Sequence, residues 1–124
     1  MNIKKLITSS ALLFLIGFSL AAQAHITLKL VNKTDGKAFV IIAYNDANPG
    51  DRSRLTLLTA PKNTSLTNLL HGKDISIESA TAAIMTDHSS AIIPHCSKAP
   101  GFIAQGHPQA VFTVTENECT ISNA

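Results

Sequence analysis

The sequence predicts an all-β fold, a small antiparallel immunoglobulin-like β-sandwich with one disulfide. Three observations predict it. Apolar residues recur with a period of two rather than 3.6. Turn signals recur about every 8–12 residues, which suits seven or eight short strands. Two cysteines, Cys96 and Cys119, stand in a short chain whose start has the form of an export signal. A small β-barrel is the alternative way to close the same strands. With 124 residues the chain has room for one domain. It is too short for a doubly wound nucleotide-binding fold or a TIM barrel.

Residues 1–24 are expected to be a signal peptide rather than part of the fold. Lys4 and Lys5 form a short positive start, and an unbroken apolar run spans 11–18. Ala22-Gln23-Ala24 then supplies small-x-small residues, so cleavage is expected between Ala24 and His25. The apolar run falls short of the ~20 residues of a spanning helix. No stable membrane anchor is therefore expected after cleavage. The expected address is the periplasm or the outside of the cell, with residues 25–124 as the single mature β-domain.

The elements follow in order. His25-Ile26-Thr27-Leu28-Lys29-Leu30 alternates, with Ile26, Leu28 and Leu30 on one face. Asn32 to Gly36 is a turn, because Asp-Gly is a strong hairpin signal. Residues 38–44 are β-branched, aromatic and nearly all apolar, so a central strand buried on both faces is expected. A loop built on Asn48-Pro49-Gly50-Asp51 follows. Residues 55–59 form a further strand, ended by Ala60-Pro61-Lys62-Asn63. The next stretch, 64–70, is ambiguous. Residues 73–79 alternate, with Ile75 and Ile77 inward, and 81–86 fit a strand or a short helix. A short apolar run at 91–93 stops at Pro94, and 96–100 are expected as loop. Residues 110–115 make a strand with Phe112 and Val114 on one face. Cys119 to Ser122 closes the chain.

An oxidising compartment would join Cys96 to Cys119, and the loop so closed would stabilise the fold by roughly 3–3.5 kcal/mol. Two free thiols, or Cys96 as a metal ligand beside His95, are the alternatives. No C-x-x-C supports a redox role.

His25 is the sharpest candidate for chemistry. Cleavage after Ala24 makes it the new N-terminus, so one residue offers an α-amine and an imidazole. The amine deprotonates close to neutral pH and can then bind metal. Nitrogen donors suit Cu(II). By alternation His25 shares the solvent face with Thr27 and Lys29. A second ligand would come from His71, His88, His95 or His107. None of these pairs has the spacing that marks a zinc motif. The plain alternative is a histidine that merely follows a cleavage site.

The opening His25-x-x-Leu28 followed by Asp35-Gly36 resembles that of the CopC-type periplasmic copper-binding proteins. Gly106-His107-Pro108, followed by Val111-Phe112-Thr113-Val114, resembles that family's closing strand. The resemblance implies a β-sandwich of this size and a Cu(II) site built from His25 and His107. His88 and His95 are weaker candidates to assist. The sequence departs from the family at Gln105, where an acidic residue usually stands two before the second histidine. It also has no tryptophan.

Other classes find less in the sequence. Ten Lys and Arg oppose eight Asp and Glu, and Lys4 and Lys5 lie in the leader. The mature part is therefore balanced in charge and has no electrostatic footprint for nucleic acid. The few aromatics in strands argue against a sugar-binding platform. Asp87-His88-Ser89-Ser90 contains catalytic residue types, but sequence neighbours cannot form a triad by themselves. Asp46, Asn48 and Asp51 lack the downstream spacing of an EF-hand. Asn32-Lys33-Thr34 and Asn63-Thr64-Ser65 match glycosylation sequons. The expected function is binding rather than catalysis, with an unknown protein or small molecule as the partner. A copper-binding carrier is the alternative.

Overall fold

The computed structural model describes residues 25–46 and 52–124. The expected signal peptide, with Ala24, and the loop residues Asn48 and Asp51 lie outside the described residues. Among the described residues, nine strands follow in order. They are β1 (His25–Asn32), β2 (Lys37–Asp46), β3 (Arg52–Ala60), β4 (Ser65–His71), β5 (Ser76–Met85), β6 (Ser90–Ile93), β7 (Ser97–Lys98), β8 (Gln109–Val114) and β9 (Cys119–Ser122). They form two sheets, one of order β4-β1-β8-β9-β7 and one of order β3-β2-β5-β6. The sheets pack as a sandwich, and the barrel alternative is not realised.

The core follows from period-two alternation. Ile26, Leu28 and Leu30 of β1 point inward, as do Phe112 and Val114 of β8 and Ile121 of β9. Val40 and Ile42 of β2 and Ala82 and Ile84 of β5 face them from the other sheet. Fully burying one such large side chain contributes about 1.5–3 kcal/mol. At 43/44 the β2–β5 register shifts, pairing Ala43 with Ser79 but Tyr44 with Ile77. The extra residue, Glu78, resets the alternation, so Ile77 and Ala80 both remain buried while Glu78 and Ser79 face solvent.

Several expectations need correction. β2 is central, but only one of its faces is buried. Ile41 is 47% exposed, because no layer of the described residues covers the outside of the four-stranded sheet. On that outer face Ile41 lies opposite Leu57, and Ile92 lies opposite Ala83. Leu55, Leu57 and Ile92 are likewise exposed there. The stretches 73–79 and 81–86 are not two elements, since β5 runs through both without a helix. The ambiguous 64–70 stretch forms edge strand β4, whose side chains are nearly all exposed. Ser97–Lys98, expected as loop, pairs with β9. The sheets are not wholly antiparallel either. β1 runs parallel to β8, and β7 parallel to β9.

The Asp35-Gly36 turn forms, but it carries the chain from one sheet to the other and is not the hairpin its sequence signals, since β1 pairs with β4 and β8 and β2 with β3 and β5. Its glycine is required by close approach. A Cβ on Gly36 would stand 2.6 Å from the carbonyl oxygen of Met85. Cys96 and Cys119 form a disulfide with a sequence separation of 23. The Cys96 N–H also donates to Ala80 O of β5 at 2.9 Å, so the crosslink ties β9 of one sheet to a segment bonded to the other.

Candidate functional site

Strand order decides which histidines can meet. β1 begins at one end of the sandwich, and three segments come to that end beside it. Antiparallel β4 finishes there, pairing His71 with His25. Parallel β8 starts there, with Thr27 opposite Gln109. The Thr27 N–H donates to Pro108 O at 2.8 Å and draws the Gly106–Pro108 segment against the start of β1. The turn from β4 to β5 closes the third side. A cleft of about 290 Å³ results, lined by His25, Gly72, Lys73, Asp74, Gly106 and His107 among others.

Local conformations shape the walls. Gly106 has φ +79° and Asp74 φ +53°, both left-handed. Behind the β4–β5 turn lies the buried Asp46 at the end of β2. Its Oδ1 accepts the Lys73 N–H at 3.0 Å. A Cβ on Gly72 would stand 2.7 Å from Asp46 Oδ2 and 3.0 Å from Ile75 side-chain carbons, so a larger residue there would have to push these side chains aside.

His107 is held from behind. Its Nδ1 lies 3.1 Å from Gln109 O and 3.2 Å from Gln109 N. With the proton on Nε2, Nδ1 accepts the Gln109 N–H; with the proton on Nδ1, the ring instead donates to Gln109 O and the Nε2 lone pair is free. A backbone carbonyl in that position is the usual support of a metal-binding histidine. Asn123 braces the same segment. Its Nδ2 donates to Gln109 O at 2.9 Å and to Ile103 O at 3.1 Å, and its Oδ1 accepts the Ile103 N–H at 2.7 Å.

His25 and His107 thus line one cleft, although 82 positions separate them in the chain. His71 was not singled out by sequence pattern, yet its ring centre lies 6.0 Å from that of His25, tilted by 53°. Among the described residues, no three His, Cys, Asp or Glu side chains already surround one point. Three imidazoles, those of His25, His71 and His107, stand at this end among the described residues. His88 is not among them. It sits in the β5–β6 turn, at the end of the sandwich shared with the Asp35-Gly36 turn. The eight residues of β1, about 26 Å of strand, separate those ends. His95 lies beside the disulfide, in a different hollow with Glu118 and Asn117.

The Asp87-His88-Ser89 run is used for a turn. Thr86 Oγ1 accepts the Ser89 N–H at 3.0 Å and lies 2.9 Å from Ser89 Oγ. The Asn32 sequon is also spent inside the fold, where Asn32 is buried and its amide donates to Gly36 O, Ala60 O and Pro61 O.

No protein-family model matches the sequence, and no curated protein matches it. Among solved structures, the chain is similar to a protein from Eubacterium rectale determined by NMR. The match has a TM-score of 0.40 and 11% identity, and it covers 79% of this chain and 86% of that one. A likeness this distant says nothing about function.

Proposed function

We propose that the chain is a small exported binding protein, acting by binding rather than catalysis, and that its ligand is a copper(II) ion held at the His25 end of the sandwich. One observation carries this reading. His25 and His107 stand 82 positions apart in the chain, and parallel β1–β8 pairing brings both to one open cleft. Cleavage after Ala24 would add an α-amine beside the His25 imidazole. A set of nitrogen donors favours Cu(II) over the other divalent first-row metals. The resemblance of the first mature residues and of the His107 segment to CopC-type proteins supports the same ligand. An open cleft on the surface suits exchange of the ion with other donors, as a carrier requires. Lys73 and Asp74, of opposite charge, both line it, so the lining itself brings no net charge to the ion.

The test is a calorimetric Cu(II) titration of residues 25–124 with His25 as the first residue. All nine strands and the core lie within those residues. A version carrying an extra Met before His25 displaces the amine. Tight one-to-one binding that the extension abolishes is the expected result. No binding, or equal weak binding to both proteins, overturns the proposal.

A further inference from the structure

We propose that His71 supplies the second imidazole of this metal site, forming a cross-strand chelate with His25 between β1 and β4. The inference rests on the copper-binding reading above. His25 and His71 form the terminal rung of the β1–β4 ladder. Residues directly opposite on antiparallel strands share a face, with Cβ atoms about 4.5–5.5 Å apart. Two imidazoles on one ion, each with nitrogen about 2.0–2.1 Å from the metal, place their ring centres roughly 4.5–6.3 Å apart. The observed 6.0 Å falls inside that span. Rotation of two side chains is therefore enough to bring a nitrogen from each ring onto one ion. Both residues are exposed, so the rotation opens no core. Among the described residues neither ring makes a hydrogen bond that binding would have to break.

The chelate has a mechanical consequence. β4 is the edge strand of its sheet, bonded to β1 on one side only. Its side chains bury almost nothing, with Leu70 alone half-buried. Backbone hydrogen bonds to β1 therefore hold it, and its end at His71 is where the ladder can fray. An ion bridging His25 and His71 closes that end. An ion held by His25 and His107 alone binds β1 to the β8 side and leaves β4 as it was.

Cu(II) titration by calorimetry, paramagnetic resonance of the bound ion, and hydrogen exchange at the Leu69, Leu70 and His71 amides test this on residues 25–124 and on the variant His71→Ala. Circular dichroism checks that the exposed substitution leaves the fold intact. The expected result is copper-dependent protection of these amides in the parent, absent in His71→Ala. Affinity in the variant should fall by at least about tenfold, since loss of a supporting residue behind a ligand already costs 10–100-fold. Nitrogen hyperfine structure should lose one imidazole. Tight binding in both proteins, with equal affinity and unchanged β4 exchange, overturns the role of His71 and leaves the copper reading standing. No binding by the parent overturns both.

Discussion

Asn32 shows how much one side chain can hold. It is 2% exposed at the end of β1, and its Nδ2 lies within 2.9–3.0 Å of Gly36 O, Ala60 O and Pro61 O. Its Oδ1 accepts from Thr34 N at 3.0 Å and from Thr34 Oγ1 at 2.7 Å. The β1–β2 turn and the β3–β4 turn, each of which crosses between the two sheets, are thereby tied through one amide. Replacing Asn32 with Ala leaves buried carbonyls and an N–H unpaired, each costing about 1–3 kcal/mol where water cannot reach it. Asn32→Ala is expected to destabilise the domain by roughly 2–4 kcal/mol, measured by urea unfolding. A loss below about 0.5 kcal/mol would show that water replaces the amide. The sequence marked Asn32 only as a turn residue and a sequon, because nothing local says that a turn 28 residues away will close over it.

At the scale of elements, the disulfide compensates for short strands. β7 has two residues and β9 four, and the 23-residue separation of Cys96 and Cys119 encloses both β7 and β8. In the chain-entropy picture this closure is worth roughly 3–3.5 kcal/mol. The double variant Cys96→Ala/Cys119→Ala should lower Tm by roughly 12–28 °C, since about 1 kcal/mol corresponds to 4–8 °C in a domain this small. A thermal melt with and without reductant checks it, and an unchanged Tm would mean that β8 and β9 hold the edge unaided. The strands whose inward residues are large and regularly spaced, β1, β2 and β8, were legible in the sequence. β4 was not, because its pattern carries no buried face to detect. The same blindness leaves His71 undistinguished among four candidate second ligands, since it gains meaning only from the strand opposite. His107 was found through a short motif, whereas its brace Asn123 lies past the last strand and reaches back through space. The parallel pairing of β1 with β8 was also invisible, since periodicity reports which face of a strand is buried and not which neighbour it takes.

At the scale of the whole molecule, the proposed copper binding would be linked to folding, and the linkage separates donors made by the chain from donors made by the fold. On that proposal, an unfolded chain beginning at His25 would keep the amine and imidazole of that residue together and still bind Cu(II). It would not keep His71 or His107 beside them. Only tighter binding by the folded state raises stability, by RT ln of the binding ratio, or about 2.7 kcal/mol for a ligand at 100 times a dissociation constant shown by the folded state alone. Residues 25–124 should therefore melt higher with Cu(II), and a variant with His71→Ala and His107→Ala together should bind copper while losing the rise in Tm. Protons compete for the same nitrogens, so affinity and the rise in Tm are present at neutral pH and fall together as the solution is acidified. Salt should act much more weakly than pH. The charges of residues 25–124 balance and Lys73 opposes Asp74 at the cleft, so there is little net field to screen. Thermal melts across pH and ionic strength measure both dependences. A rise in Tm that persists in the double variant, or that tracks salt rather than pH, would place the ion away from the β1 terminus and remove the fold from the account of its binding.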